Sequence, residues 1–221
     1  MTGTRPYEAV VFDLDGVICH TDVYHYRGWK SVADELGIPF DETVNNRLRG
    51  VSRMESLDII LEPYEGEPLS DDRKVELATI KNDRYRVMLG ELSPADLDPS
   101  VRTTLDDLRG RGLKLAIGSS SKNAKYILER IGLGDYFDAI SDGTNISRSK
   151  PDPEVFLKAA EFVGIDPAKC VVVEDAVAGI DAAHAAGMYG VAMGDAADQG
   201  VGDAQLGTFA DLARVMTDLG C

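Results

Sequence analysis

Apolar positions in this chain gather into short runs, separated by stretches in which they recur every three or four residues. The runs Ala9–Leu14, Leu113–Gly118, Ala139–Ser141, Cys170–Glu174 and Gly190–Met193 are too short for buried helices and predict strands. Between the last four of them, Lys122–Ile131, Glu154–Val163 and Val177–Ala186 carry helical periodicity. Strands alternating with amphipathic helices predict an α/β fold with a doubly wound, Rossmann-like parallel sheet. The stretch from Asp22 to about Leu89 breaks the rhythm. It holds helical segments at Val23–Leu36, Asp41–Leu48, Arg53–Leu61 and Asp71–Met88, divided by Pro39, Gly50 and the Pro63–Pro68 loop. An all-α insertion directly after the first strand is expected to lie over the sheet edge as a cap. The expected division is a core built from residues 1–20 and 92–221 and an inserted α-helical cap of residues 21–91. Leu92–Asp96 supplies the return linker, and Gly194–Gly207 is expected to be a surface loop before a last short helix.

Composition narrows the partners. The 221 residues are 44% hydrophobic and 28% charged, as in an ordinary globular protein. Basic residues number 23 against 38 acidic ones, for a net charge of −15. That field opposes nucleic acid and anionic membrane surfaces, so neither is expected as a partner. It also repels a phosphorylated metabolite, so a phosphate site has to be assembled locally from cations and backbone N–H groups. No apolar run approaches the roughly 20 residues of a membrane span, and the chain start lacks a basic-then-apolar leader. The expectation is a cytoplasmic protein, and its polar, acidic helices predict a monomer. Cys19, Cys170 and Cys221 form no disulfide or zinc pattern.

Chemistry gathers at the predicted strand ends. Asp13-Leu14-Asp15-Gly16 closes the first strand, and Gly16 lets the chain turn sharply away. Two carboxylates thus arrive at the edge where open α/β sheets hold their ligands. One can attack phosphorus or hold Mg²⁺ while the other moves a proton; a turn that merely favours Asp and Gly would give the same string. Ser119-Ser120-Ser121-Lys122-Asn123 follows the second strand at a helix start, which suits a phosphate cradle or simple N-capping. Lys150, before Pro151, would by itself be a surface charge. Val171-Val172-Val173-Glu174-Asp175 ends a buried strand in adjacent carboxylates, which favours a metal site over helix capping.

In this order, Asp-x-Asp, Ser, Lys and an acidic pair resemble the haloacid dehalogenase superfamily, over essentially the whole chain. The resemblance implies that Asp13 is a nucleophile forming an aspartyl phosphate and Asp15 the general acid/base. Mg²⁺ would be held by Asp13, the backbone carbonyl of Asp15 and Asp175, with Glu174 nearby. Ser119 and Lys150 would bind the phosphoryl oxygens, which matches the need of phosphoryl transfer for positive charge around the moving group.

The strings Tyr24-His25-Tyr26-Arg27-Gly28-Trp29-Lys30, Arg49-Gly50-Val51-Ser52-Arg53 and Lys81-Asn82-Asp83-Arg84-Tyr85 are similar to those of the sugar-phosphate mutases in that superfamily. So are Ser93-Pro94-Ala95-Asp96 and Ser121-Lys122-Asn123. The similarity implies interconversion of β-glucose 1-phosphate and glucose 6-phosphate, with β-glucose 1,6-bisphosphate as activator and intermediate. A bisphosphate needs a second, distal phosphate site, which would be Arg53 with Ser121, Lys122 and Asn123. Thr21, His25, Trp29, Gly50, Val51, Ser52, Lys81 and Ser120 would then surround the sugar and couple it to Asp15. Taken singly, Arg53 and Lys81 suit a helix surface, and His25 and Trp29 suit one packing face. A sugar-phosphate phosphatase of the same fold is the alternative activity. A non-catalytic binder is the other alternative, although it would need no Asp13 and Asp15 pair. Cys19-His20-Thr21 and Ala176 depart from the residues common in relatives and put the hinge energetics in question.

Overall fold

The computed structural model describes residues 6–221; positions 1–5 of the predicted core segment lie outside the described residues. Strands β1 (Ala9–Phe12), β2 (Lys114–Gly118), β3 (Ala139–Ser141), β4 (Cys170–Glu174), β5 (Tyr189–Ala192) and β6 (Ala204–Gln205) form one parallel sheet. Their order is β3-β2-β1-β4-β5-β6. Alternate residues of a strand point to opposite faces. Val10 and Phe12 therefore join Leu105, Leu128 and Leu212 in one apolar layer. Ala9 and Val11 join Phe156, Ala159 and Ala183 in the other. With both faces covered, the strands have no polar side to show, which is why they read as apolar runs, with charge only at Lys114 opening β2 and Glu174 closing β4.

Helices α1 (Asp22–Glu35), α2 (Glu42–Asn46), α3 (Arg53–Leu61) and α4 (Asp71–Leu89) fill the interval between β1 and β2. They have an apolar cluster of their own, including Trp29, Val32, Phe40, Leu57, Ile60 and Leu77. Side-chain oxygens of Asp41, Ser52 and Ser70 accept backbone N–H bonds at the starts of α2, α3 and α4. The chain returns to the sheet through a short 3-10 turn at Pro94–Asp96. Arg130 ties that return down, its Nη2 donating to the carbonyls of Gly90 at 2.5 Å and Leu92 at 2.6 Å. The sheet-covering helices are α5 (Pro99–Gly110), α6 (Ala124–Arg130), α7 (Glu154–Val163), α8 (Val177–Ala185), α9 (Gly194–Asp198) and α10 (Leu212–Asp218). Among the described residues no helix is long and apolar enough to cross a membrane.

One expectation is corrected. The stretch Gly194–Gly207 is not simply a loop: it holds α9 and the edge strand β6, which pairs Ala204 with Val191. A two-residue strand has no periodicity to detect. Register matters most at the other end of the sheet. Phe12 lies opposite both Ile117 and Val173, so the positions just past β1, β2 and β4 come to one edge. The Asp13 N–H still bonds the Val173 carbonyl at 3.0 Å, and that of Ser119 bonds the Ser141 carbonyl at 3.0 Å.

Candidate active site

Four charged groups meet at that edge. Lys150 Nζ donates to Asp13 Oδ1 at 2.5 Å and to Glu174 Oε1 at 2.6 Å, and its side chain is 1% exposed. Glu174 Oε2 accepts the Ala176 N–H at 2.8 Å, so both oxygens of Glu174 already have donors. Asp13, Glu174 and Asp175 each bring a carboxylate oxygen within 4.8 Å of the others. Burial pushes Asp13 up to about 7; Lys150 pulls against that shift and Glu174 and Asp15 add to it. Burial, then the charges of Glu174 and Asp13, push Asp175 up to about 9. Burial works to lower Lys150, but Asp13 and Glu174 overcome it and hold the ammonium above its usual range. Three carboxylates crowd round one ammonium, with the Arg49 guanidinium 3.7 Å from Asp175, so acid outnumbers base at this buried edge. Oxygen donors with that deficit fit a hard divalent cation such as Mg²⁺. Gly16 is required beside them: its φ is +88°, and a Cβ there would stand 2.1 Å from Asp175 Oδ2.

Asp15 faces α1 and α4. Thr21, fully buried, donates its hydroxyl to Asp15 Oδ1 and accepts from Tyr85 Oη at 3.2 Å. Burial raises Asp15 to about 6, and the Thr21 hydrogen bond opposes this. A carboxyl near 6 is suited both to take and to return a proton at neutral pH. Beside it, Lys81 Nζ lies 3.0 Å from His25 Nδ1, 4.4 Å from the centre of the Tyr85 ring and 5.0 Å from that of Trp29. Burial, reinforced by Arg53, lowers Lys81 to about 7. Burial, then the charges of Lys81 and Arg53, hold His25 well below its ordinary value, which favours the neutral imidazole.

The far wall is built from α3, α4 and the serine loop. Arg53 Nη2 donates to Asn82 Oδ1 at 2.7 Å, and Asn123 Nδ2 donates to the same oxygen at 2.9 Å. Ser120 Oγ donates to the Gly50 carbonyl at 3.1 Å. Gly50 itself takes φ +75°, which turns the chain so that Val51 and Ser52 also face the cleft. Ser52 has a second task as the N-cap of α3, its Oγ accepting the Glu55 N–H at 3.3 Å. The serines after β2 bond one another's loop rather than cap the helix. Ser119 Oγ accepts from Ser121 N at 3.1 Å and Ser121 Oγ from Asn123 N at 3.2 Å, and α6 starts only at Ala124.

A cleft of about 670 Å³ runs between these walls, with Asp13 and Asp15 on its floor and Arg53 and Lys122 on its sides. Every residue singled out from the sequence lines it except Thr21 and Lys150, which stand directly behind Asp15 and Asp13. Sequence reasoning gave no role to Arg49, Asn82, Tyr85 or Arg86. Arg49 pairs with Asp22 at 2.8 Å and lies 3.7 Å from Asp175. The available signal was helical spacing on α4, where Lys81 and Tyr85, and Asn82 and Arg86, stand four apart and share a side.

Residues 7–187 match the family model described as haloacid dehalogenase-like hydrolase. The β-phosphoglucomutase of Bacillus subtilis is 44% identical over 188 residues, which span 85% of this chain and 83% of that protein. A phosphorylated carbohydrates phosphatase of Thermotoga maritima is 33% identical over 189 residues, 83% of this chain and 85% of that protein. The crystal structure of β-phosphoglucomutase from Clostridium difficile superimposes with a TM-score of 0.92 at 36% identity, covering 97% of each chain.

Proposed function

Because the chain belongs to the haloacid dehalogenase-like hydrolase family, we propose that it is a Mg²⁺-dependent phosphomutase interconverting β-D-glucose 1-phosphate and D-glucose 6-phosphate. The observation that supports this reading is two separate groups of cationic and amide donors at one cleft, each read here as an anion site. Asp13 with Lys150 forms the first. The second is the far wall, where Arg53 and Asn123 converge as donors on a single oxygen. A hydrolase needs one such site; an enzyme that turns a sugar bisphosphate end for end needs two.

In the proposed cycle Asp13 carries the phosphoryl group as an aspartyl phosphate. The C6 hydroxyl of bound β-glucose 1-phosphate attacks that phosphorus while the Asp15 carboxylate takes the hydroxyl proton. The P–O bond to Asp13 breaks and β-glucose 1,6-bisphosphate forms. After the bisphosphate reverses its orientation, Asp13 attacks the C1 phosphate and Asp15 returns its proton to the departing sugar oxygen. Glucose 6-phosphate leaves and the aspartyl phosphate is restored. Lys150 and Ser119 meet the oxygens of the moving group. Asp13, the Asp15 carbonyl and Asp175 would hold Mg²⁺, which would supply positive charge between a carboxylate and a phosphate. Glu174 supports the site through Lys150. Thr21 orients Asp15, and His25, Trp29 and Lys81 place a polar, partly aromatic wall beside the sugar.

The division into a core of residues 1–20 and 92–221 and a cap of residues 21–91 belongs to the same proposal. The separate apolar cluster of α1–α4 supports it, as does the lining of the cleft by residues from both parts. Closure on a two-phosphate ligand would keep water from the aspartyl phosphate. Hydrolysis of a sugar phosphate is the competing reading, since the Thermotoga maritima relative is a phosphatase and the proximal centre suits either outcome.

Arg53→Ala separates the two. The lost charge-assisted contact is worth roughly 1.5–3 kcal/mol, about 10–100-fold in affinity. Isomerisation should fall by that factor while acetyl phosphate, which has no second phosphate, still labels Asp13. Isomerisation at the wild-type rate would remove the distal site from the scheme and favour the phosphatase.

A further inference from the structure

Arg86 lies on α4 one turn beyond Asn82 and touches neither the cleft floor nor the proximal centre. Its guanidinium stacks over the Tyr126 ring of α6 at 4.4 Å. Its Nη1 donates to Asn123 Oδ1 at 3.0 Å. Asn123 is buried, and its other end, Nδ2, donates to Asn82 Oδ1, the same atom that accepts Arg53. A side-chain amide has one accepting and one donating end, and half a turn of its last torsion exchanges them. Arginine has donors only, so it can pair with the carbonyl end alone. With a guanidinium fixed against Tyr126 on one side, Asn123 has to present its NH₂ group to the cleft.

We propose that Arg86 is a positioning residue for the distal phosphate: it locks the Asn123 amide so that this NH₂ and the Arg53 guanidinium converge on one oxygen position. In this structure the Asn82 carbonyl occupies that position, and a phosphate oxygen replaces it when the ligand binds. The inference rests on the distal-phosphate reading above. Without Arg86 the amide is free to turn its carbonyl toward the anion, which repels it and removes a donor.

The test measures isomerisation against the concentration of β-glucose 1,6-bisphosphate for a small set of variants. Arg86→Ala raises the half-saturating concentration about tenfold, the upper range for one oriented hydrogen bond. The larger part of the effect falls on that concentration rather than on kcat. Arg86→Lys keeps a donor with no acceptor and restores most of the loss. Arg86→Gln does not, because its own amide can pair with either end of Asn123. In an Asn123→Ala background Arg86→Ala adds almost nothing, since no amide is left to orient. A wild-type bisphosphate dependence in Arg86→Ala overturns the inference. So does rescue by Gln equal to that by Lys, or a full additional loss in the Asn123→Ala background. Arg53→Ala, measured alongside, locates the failure. If it raises the half-saturating concentration while Arg86→Ala does not, only the role of Arg86 is wrong; if neither does, the distal-phosphate reading itself fails.

Discussion

Lys81 is an amine held where its charged form is costly. It sits among Trp29, Tyr85 and a neutral His25, and burial brings its pKa down to about 7 from the ordinary 10.5. The sign of the consequence follows from proton counting. Between about 7 and 10.5 the unfolded chain keeps a proton on this lysine that the folded chain has released. Stability therefore rises with pH across that window, by up to about 1.4 kcal/mol per pH unit from this group, and is flat below it. Lys81→Met removes the group, so the stability difference between wild type and variant should shift in the wild type's favour from pH 7 to pH 9. Urea unfolding at several pH values measures it, and a difference that stays constant would show that the folded-state pKa is not depressed. At this scale Asp13, Asp15 and Asp175 were legible in the sequence because each ends or follows an apolar strand, whereas Lys150, well past the end of β3, read by itself as a surface charge and entered only through resemblance. His25 and Lys81 were singled out only through resemblance, and their direct contact was not foreseen, since it joins positions 56 apart on α4 and α1.

Helix α3 begins where the cleft wall begins, and Ser52 serves both. Its hydroxyl accepts the Glu55 N–H while the Glu55 carboxylate accepts the Ser52 N–H, a reciprocal cap. Ser52→Ala should cost about 1 kcal/mol of stability through the lost cap. Thermal or urea unfolding would record it, and a variant as stable as the wild type would mean that the cap bond contributes nothing. Elements were legible to different degrees for physical reasons. Strands β1, β2 and β4 have two covered faces, so their residues are apolar except for the exposed Lys114 that opens β2 and Glu174 that closes β4. The β6 strand has two residues and a sheet edge, and leaves no trace in hydropathy. The serine loop was located correctly but its bonding was not, because hydroxyls that cap a helix and hydroxyls that bond a loop N–H have the same composition.

Across the whole molecule the excess of acid sets the problem that the proposed cleft would have to solve. A chain of net charge −15 that is to hold two phosphates needs cations concentrated in one place. Arg49, Arg53, Lys81 and Lys122 line the cleft, with Lys150 directly behind Asp13. They come from α1–α4 and from the sheet edge together, so the full set of donors is assembled only where both parts meet. No single motif could show this, because Arg53, Asn82 and Asn123 belong to separate elements and meet only through the fold. The most direct measurement supplies β-glucose 1-phosphate, Mg²⁺ and a trace of β-glucose 1,6-bisphosphate to the wild-type protein and follows glucose 6-phosphate and free phosphate in the same reaction. A phosphomutase forms glucose 6-phosphate through many turnovers for each phosphate released, and starts faster with the bisphosphate than without it. Release of one phosphate for each β-glucose 1-phosphate consumed, with no glucose 6-phosphate accumulating, would contradict it.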